Sequence, residues 1–258
     1  MTMGILDLFN LSGKVALVTG ANRGLGQAVA VGLAEAGADI AGLNRSEEDG
    51  GTGDLVRALG RQYTHNSLDL STATVSDLAA AVDNVVSALG RLDILVNNAG
   101  IIRRTPALEY TEADWDDVMN VNLKVVFFLS QAAARYMKEQ GGGKIIHIAS
   151  MLSYQGGINV PSYTAAKHGI MGITRAMANE WAPHNINVNA IAPGYMVTDN
   201  TAALRADDKR YSAILERIPA GRWGESDDMK GATVFLASDA AAYLHGATIP
   251  VDGAWLAR

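Results

Sequence analysis

The sequence predicts one doubly wound α/β domain across residues 1–258, with a seven-stranded parallel sheet flanked by helices. Short apolar runs alternate with longer segments of helical apolar spacing, and no shift in composition marks a domain boundary. Several of the short runs are apolar on both faces, as strands buried inside a parallel sheet are. The runs that predict strands are 14–20, 39–44, 63–70, 92–100, 144–150, 186–193 and 247–253.

Five segments between these strands have the apolar spacing of helices, at 25–36, 73–89, 112–139, 162–181 and 227–237. Gly37, Gly90 and the glycine cluster 141–143 follow three of them, where a left-handed capping residue is needed. Segment 200–224 is polar and charged, with no clear periodicity before residues 211–218. Its position late in the chain predicts a lid, spanning about 196–224, over a site at the carboxyl ends of the strands.

The charge and composition of the chain restrict its partners. The formal net charge is −6 and no basic run occurs, which argues against nucleic acid and anionic membranes as partners. Cysteine is absent, so disulfides and thiolate metal sites are excluded. Residues 1–10 do not resemble a secretion signal, and no apolar run is long enough to span a bilayer. A cytoplasmic location is therefore expected.

The strongest local motif is the glycine loop between the first predicted strand and the first helix, Gly20-Ala-Asn-Arg-Gly24-Leu-Gly26. One or two glycines would suffice for a tight turn. Three of them remove side chains from the approach to a helix N-terminus, where backbone N–H groups and the helix dipole favour a phosphate. Because the loop lies between a strand and a helix of a parallel α/β pattern, it predicts a dinucleotide pyrophosphate site in a Rossmann-type domain.

This glycine spacing, together with Asn97-Asn98-Ala99-Gly100 after the fourth strand, resembles that of the short-chain dehydrogenase/reductase family. The resemblance implies an oxidoreductase that uses NAD or NADP. Asp69 matches the residue that contacts the adenine, residues 98–100 match the segment along its ribose, and residues 193–198 match the nicotinamide-side loop. The cofactor-binding residues expected on this basis are Gly20, Asn22, Arg23, Gly24, Leu25, Gly26, Asn44, Arg45, Asp69, Leu70, Asn98, Ala99, Gly100, Tyr163, Lys167, Pro193, Gly194, Met196 and Thr198.

A candidate catalytic group follows the fifth predicted strand. Tyr163 and Lys167 are four residues apart at the start of a predicted helix, so they project from one face. Ser150 ends the preceding strand, where sheet-based sites are built. The family has an Asn–Ser–Tyr–Lys tetrad, and the resemblance implies that its catalytic members here are Asn122, Ser150, Tyr163 and Lys167.

These residue types suit the reduction of a ketone, in which the cofactor supplies a hydride and the protein supplies a proton. Tyrosine has a pKa of about 10 and is a poor base at neutral pH. The Lys167 ammonium beside Tyr163 and the oxidised nicotinamide are both expected to lower that pKa. Ser150 would hydrogen-bond the substrate oxygen, and the resemblance implies that Asn122 anchors a water that connects Lys167 to solvent.

Other chemistries lack support in the sequence. None of the five histidines is paired with another histidine or with nearby carboxylates, so no metal site is expected. His147 lies in an apolar strand and is expected to be a packed core residue. Ser150 is not part of a G-x-S-x-G motif, which argues against a hydrolase.

Several segments narrow the resemblance to the 2-deoxy-D-gluconate 3-dehydrogenase group, which also contains 2-dehydro-3-deoxy-D-gluconate 5-dehydrogenases. These segments are 98–104, 151–158, 178–181, 185–194 and 217–224. The C-terminal residues 251–258 fit as well, although the group often has a glycine where Ala254 stands. The resemblance implies a small sugar acid as substrate and a homotetramer.

Two arginines support an acidic substrate independently. Arg103 and Arg104 follow the fourth strand, at the edge where substrates bind, and a guanidinium suits a carboxylate. Arg103 is predicted to hold that carboxylate, although a solvated surface arginine would give the same pattern. Gln155 is a candidate partner for a substrate hydroxyl, so the predicted substrate-binding residues are Arg103, Ser150, Gln155 and Tyr163. Two alternatives stay open, a 3-oxoacyl carrier-protein reductase and a dinucleotide sensor without catalysis.

The sequence contains conflicting indications about whether the cofactor carries a phosphate on its ribose, as NADP does and NAD does not. The second predicted strand ends in Asn44-Arg45, so the acidic residue that selects NAD in dinucleotide folds is absent and a cation follows. Arg23 in the glycine loop adds a second positive charge. The acidic residues 47–49 oppose a phosphate, and the resembled group often uses NAD. Activity with both NAD and NADP is predicted, with a lean to NADP.

Overall fold

Seven parallel strands form a single sheet in the computed structural model, which describes residues 4–258. The strands are β1 (Val15–Thr19), β2 (Asp39–Asn44), β3 (Tyr63–Ser67), β4 (Ile94–Asn97), β5 (Gly143–Ile148), β6 (Ile186–Pro193) and β7 (Thr248–Val251). Their order in the sheet is β3-β2-β1-β4-β5-β6-β7, which confirms the predicted doubly wound α/β fold. The first three residues of segment 1–10 lie outside the described part of the chain.

Helices cover both faces of this sheet. The α-helices are α1 (Gly24–Glu35), α2 (Thr52–Ala58), α3 (Val75–Leu89), α4 (Glu112–Met119), α5 (Val125–Glu139), α6 (Pro161–Trp181), α7 (Ala202–Arg205), α8 (Asp208–Leu215) and α9 (Asp228–Ala237). Helices α3, α5 and α6 bury their apolar side chains on one face, and α1, α2 and α9 bury theirs on the other. Gly37 and Gly90 end two of the helices with φ of 108° and 82°, the left-handed conformation that the sequence predicts.

Three helical details differ from the sequence prediction. The predicted helix 112–139 is interrupted by a π-helical turn, Asn120–Lys124, in which the Val125 N–H donates to the Asn120 carbonyl. Helix α2 is not predicted, because its seven residues include only three buried ones and show no long apolar period. Segment 200–224 contains the short helices α7 and α8.

The topology places the carboxyl ends of β1 and β4 at the point where strand order reverses. The chain runs outward from β1 through β2 to β3 and then returns to add β4 on the other side of β1. Loops that leave adjacent strands in opposite directions open a crevice there, which is where such sheets bind ligands. Among residues 4–258, no helix is both long enough and apolar enough to cross a membrane.

Candidate active site

Ser150 lies two residues beyond β5 and begins a short 3-10 turn, Met151–Ser153. It is 8% exposed, and its Oγ accepts a hydrogen bond of 3.1 Å from the Leu152 N–H. This contact fixes the position of Oγ and leaves the hydroxyl proton available to an oxygen in front of it.

Ser153, which the sequence reasoning missed, joins this turn to helix α6. Its Oγ accepts a hydrogen bond from the Ser150 N–H at 3.2 Å and donates one to the Lys167 carbonyl at 2.6 Å. The side chain is buried, so water does not compete for either bond. A serine three residues after another serine is too common a pattern to have indicated this role.

Lys167 is buried on the inner face of α6 and is 5% exposed. Its Nζ donates to the Ile148 carbonyl at 2.6 Å and lies 5.6 Å from the centroid of the Tyr163 ring. Burial lowers the pKa of Lys167 to about 8, because a charged ammonium is poorly solvated there. The predicted proximity of Tyr163 and Lys167 is therefore present.

The protein residues alone do not produce the expected lowering of the Tyr163 pKa. Burial raises the pKa of Tyr163 above its ordinary value, and the Ser150 hydroxyl and the positive charge of Arg104 only oppose this. Desolvation outweighs the neighbouring groups because the phenolate would lose more hydration than they restore. Tyr163 is consequently a neutral phenol at neutral pH.

Asn122 lies in the π-helical turn and is 1% exposed. Its Oδ1 accepts from the Ile101 N–H and its Nδ2 donates to the Ile101 carbonyl, both at 2.8 Å. The amide therefore holds the segment that follows β4 by both of its backbone groups. Single π turns of this kind occur often at functional sites.

His147 forms the centre of a buried chain of hydrogen bonds beneath the site. Asn97 Nδ2 lies 3.0 Å from Ser130 Oγ, which is 3.1 Å from His147 Nε2. On the other side, His147 Nδ1 lies 2.9 Å from Thr174 Oγ1, whose proton goes to the Ile170 carbonyl at 2.6 Å. Since Thr174 already donates, Nδ1 carries the imidazole proton and Nε2 accepts from Ser130. Burial first and the charge of Lys167 second lower the pKa of His147 to about 3, which confirms a neutral core histidine.

The glycine loop forms an open approach to helix α1. Gly20 and Gly24 have φ of 65° and 54°, and a Cβ on Gly26 would overlap the Gly20 carbonyl oxygen. Arg23 precedes the helix without capping it through its side chain. The first N–H groups of α1 are therefore available to an anion, as a pyrophosphate requires.

The segment after β4 is braced against the end of β1. Thr19 Oγ1 accepts from the Asn98 N–H at 3.0 Å and from the Ala99 N–H at 2.9 Å. The Asn98 side chain also donates to the Thr19 carbonyl at 2.9 Å. Gly100 packs closely on Asn122, since a Cβ added to this glycine would lie 3.2 Å from Asn122 Oδ1. These contacts bring the predicted ribose segment to the rim of the glycine loop.

The region predicted to meet the adenine end lies at the ends of β2 and β3. Asn44 Oδ1 accepts from the Asn22 N–H at 3.1 Å, which ties β2 to the glycine loop. Hydrogen bonds from Ser71 and, to a smaller extent, the charge of Arg45 lower the pKa of Asp69, so Arg45 and Asp69 share one rim. Of the other predicted residues, Leu70 and Leu25 face the apolar core.

Asp49, one of the acidic residues expected to oppose a phosphate, is directed into helix α2. Its two carboxylate oxygens accept from the N–H groups of Gly51 at 2.9 Å and Gly53 at 3.0 Å. The negative charge is therefore partly compensated by the N-terminus of α2.

The predicted nicotinamide-side loop follows β6. Gly194 donates its N–H to the Val251 carbonyl at 2.9 Å, continuing the contact of β6, including Pro193, with β7. Met196 is buried, and Thr198 precedes a 3-10 turn.

The two ends of the predicted lid segment are joined by backbone hydrogen bonds. The Val197 N–H donates to the Gly224 carbonyl at 2.8 Å, and the Gly224 N–H donates to the Tyr195 carbonyl at 2.9 Å. Near the first of these, Asp199 forms a 3.1 Å ion pair with Arg23 of the glycine loop, although both side chains are about three-quarters exposed (73% and 76%). This ion pair connects the predicted lid segment with the glycine loop.

The two arginines after β4 have different surroundings. Arg103 is paired with Asp114 at 3.4 Å and with Asp117 at 3.1 Å, both on α4. Arg104 donates to the Asn200 carbonyl at 2.7 Å, and its charge acts on Tyr163. The charge of Arg104, rather than that of Arg103, therefore acts on Tyr163.

Among residues 4–258, no group of three or more histidine, aspartate or glutamate side chains could hold a metal ion. The arrangement is instead a half-buried phenol and a buried ammonium beside a serine hydroxyl, facing a crevice with an open helix N-terminus. Such a set can hold a carbonyl oxygen and transfer a proton to or from it.

Comparison with known proteins agrees with this geometry. A family model described as enoyl-(acyl carrier protein) reductase matches residues 20–255. The 2-dehydro-3-deoxy-D-gluconate 5-dehydrogenase of Escherichia coli (strain K12) is 61% identical over 255 residues, which cover 98% of this chain and 100% of that protein. The protein of the same name from Bacillus subtilis (strain 168) is 52% identical over 259 residues, covering 99% and 100%.

A solved structure gives the same result. The crystal structure of a gluconate 5-dehydrogenase from Burkholderia cenocepacia J2315, in complex with NADP and tartrate, is 40% identical and superposes with a TM-score of 0.94. The match covers 99% of this chain and 100% of that one. Fold, site and relatives together make the chain a member of the short-chain dehydrogenase/reductase family, the NAD(P)-dependent oxidoreductases that act on CH–OH groups.

Proposed function

We propose that the protein interconverts a secondary alcohol and a ketone on a deoxy-sugar acid, as a 2-deoxy-D-gluconate 3-dehydrogenase or 2-dehydro-3-deoxy-D-gluconate 5-dehydrogenase. The observation that carries this proposal is the 61% identity, over the whole length, with a relative named for the second activity. The half-buried Tyr163, with the buried Lys167 and Ser150 beside it, supports the chemistry.

Tyr163 is the proposed general acid and base. In reduction, the raised pKa keeps the phenol protonated, so that it can give its proton to the alkoxide as that charge develops. Ser150 Oγ, fixed by the Leu152 N–H, would donate a hydrogen bond to the same oxygen. When bound, NAD(P)(H) supplies or accepts the hydride.

Oxidation requires the reverse proton transfer, for which the phenolate must be stabilised. Arg104 supplies positive charge at Tyr163, and Lys167 lies near its ring. Asn122 holds the Ile101 backbone, and we propose that it also anchors the water through which Lys167 exchanges protons with solvent.

The glycine loop and the rims of β2, β3 and β6 fit a dinucleotide. The pyrophosphate would meet the uncapped N-terminus of α1, where Gly26 leaves no side chain in the way. Asp69, with residues 98–100, would face the adenosine, and residues 193–198 the nicotinamide. Use of both NAD and NADP is proposed, with preference for NADP, because Arg45 lies on the rim and Asp49 is turned into α2.

The pairing of Arg103 with two aspartates reduces the support for its predicted role as carboxylate ligand. Arg104 is the better-supported arginine at the reacting end, where its charge favours both phenolate and alkoxide. Residues 196–224 are proposed to act as a lid, because their ends are joined by backbone hydrogen bonds and the residues between them belong to no strand of the sheet.

We also propose a homotetramer that works in the cytoplasm, where the nicotinamide nucleotides are kept. An apolar groove on the outer faces of α5 and α6 supports self-association, with Phe127, Ile173 and Trp181 in its lining. Light scattering during size-exclusion chromatography would give the mass of the assembly directly.

The proposed function is tested by following NADPH and NADH absorbance with a panel of keto sugar acids and a 3-oxoacyl thioester. We expect turnover of the sugar acids and little of the thioester; the opposite order would refute the proposal. Tyr163→Phe should retain cofactor binding and lose about 10²–10⁴-fold in kcat, the usual contribution of general acid catalysis. Wild-type turnover by this variant would eliminate the proposed proton donor.

A further inference from the structure

Arg217, at the end of the proposed lid, lies over the ring of a buried tryptophan. Its guanidinium carbon is 4.0 Å from the centroid of the Trp255 ring, and Trp255 is only 4% exposed. Stacking of a planar guanidinium on an aromatic face restricts its orientation, a restriction that a solvated surface arginine does not have.

The same guanidinium points toward the loop that follows the catalytic serine. Arg217 Nη2 lies 3.4 Å from Gln155 Oε1, a long hydrogen bond between the lid and that loop. Gln155 is half-buried, and its N–H donates to the Met151 carbonyl in the turn that Ser150 begins. A cation and an amide are therefore held side by side, a few residues from Ser150 in sequence.

The charge of Arg217 is not neutralised within the part of the chain that the structure describes. Arg23, Arg103 and Arg222 each have a carboxylate partner, whereas no ion pair within residues 4–258 involves Arg217. In a chain of net charge −6, an ordered and unpaired guanidinium beside a catalytic cleft is suited to an anion.

Tyr195 and Arg217 both pack on the ring of Trp255. The centroid of the Tyr195 ring lies 4.8 Å from that of Trp255. Burial raises the pKa of Tyr195, and the charges of Arg210, Arg217 and Arg104 all oppose this shift. At Tyr163, in contrast, only Arg104 among the arginines has an effect. The charges of Arg217 and Arg104 therefore both act on Tyr195, whereas only that of Arg104 acts on Tyr163.

We propose that Arg217 and Gln155 form the carboxylate subsite, at the end of the substrate remote from the carbon that reacts at Tyr163. This inference rests on the proposed function and extends it to a choice of carbon. Such a subsite would favour reaction at a carbon several bonds from the carboxylate over reaction at C2, which is adjacent to the carboxylate.

The test compares an acid with its uncharged counterpart on the full-length enzyme with NADPH. The probes are 5-keto-D-gluconate and its primary amide, which differ in charge and hardly in shape. Arg217→Ala should raise KM for the acid by about tenfold or more, since a hydrogen bond to a charged group is lost. The KM for the amide should change by less than about twofold. The kcat for the acid should stay within about threefold, because the proton-transfer residues are untouched. Arg217→Lys should recover part of the loss, as it keeps the charge but not the planar fork.

Arg210→Ala is the matched control, since it removes a charge that also acts on Tyr195 but has no contact with Gln155. Its KM for the acid should equal that of the wild type. An equal effect of Arg210→Ala and Arg217→Ala, or equal losses on acid and amide, would overturn the subsite. A rise in KM for the acid alone in Arg103→Ala, with no such rise in Arg217→Ala, would overturn it as well.

Two readouts separate this inference from the proposed function. Circular dichroism and the Kd for NADPH, measured by fluorescence, should be unchanged in Arg217→Ala, so that a folding defect is recognised. If the wild-type enzyme reduces neither these probes nor any keto deoxy-sugar acid but reduces other ketones, the proposed function itself fails. If it reduces the acid and Arg217→Ala does so equally well, only the subsite fails.

Discussion

The wild-type protein should become less stable as the pH falls. Replacing His147 with glutamine should remove most of this decrease in the free energy of unfolding. The imidazole is completely buried, and its pKa is lowered to about 3. In the unfolded chain a histidine titrates near pH ~6.5. Between these two values the unfolded state binds a proton that the folded state does not, so the free energy of unfolding falls as pH falls through this window.

The size of this effect follows from the two pKa values. One proton changes the free energy of unfolding by about 1.4 kcal/mol per pH unit, so lowering the pH from about 7.5 to about 5 should cost about 2 kcal/mol through His147 alone. Glutamine offers a donor and an acceptor to Thr174 and Ser130 but does not titrate. We expect it to cost about 1–3 kcal/mol at neutral pH, through poorer hydrogen-bond geometry, and to lose less than the wild type on acidification.

Urea unfolding followed by tryptophan fluorescence, at one protein concentration and at both pH values, measures the difference. His184→Gln, at an exposed histidine, is the control and should behave as the wild type does. If His147→Gln and the wild type lose the same free energy between the two pH values, the buried neutral histidine is refuted.

The remaining predictions concern cofactor and proton transfer. Gly26→Ala should weaken NADPH binding by about tenfold or more in a fluorescence titration, because its Cβ would overlap the Gly20 carbonyl oxygen and displace the loop, whereas Gly172→Ala, with open space around it, should bind normally. Arg45→Asp should lower kcat/KM with NADPH by about tenfold more than with NADH, and an unchanged ratio would remove Arg45 from the ribose pocket. Arg104→Ala removes a cation that lowers the pKa of Tyr163, so the alkaline limb of the oxidation rate should move to higher pH; a profile that stays in place would contradict the assignment.

The sheet could be predicted because parallel strands leave an unmistakable pattern. Every predicted strand overlaps an observed one, and the ends differ mainly on the carboxyl side, where the prediction runs past the paired residues, as at residues 68–70 and 98–100. The π-helical turn could not be predicted, since the apolar pattern of 112–139 continues through it. Helix α2 was missed because a helix of seven residues gives too few turns for a period to be recognised.

The residues of the candidate site could be predicted from the sequence, but their ion pairs and pKa shifts could not. Arg103 and Arg104 are adjacent and chemically identical in the sequence. Only the folded chain brings Asp114 and Asp117 of α4 to the first and leaves the second to act on Tyr163. In the same way, the upward shift of the Tyr163 pKa depends on desolvation, which no local pattern encodes.

The π-helical turn makes the number of residues in this helix, and not only their types, important for the site. Deleting one residue from Asn120–Lys124 would convert the wide turn into an ordinary α-helical turn, in which each N–H donates to the carbonyl four residues earlier instead of five. Helices α4 and α5 would keep their relative orientation, but the extra residue of the wide turn, which contains Asn122, would be lost and Asn122 would be displaced from Ile101. Insertions and deletions between related chains should therefore collect in the exposed loops and avoid 120–124, where a gap in an alignment would mark a protein that has lost this chemistry.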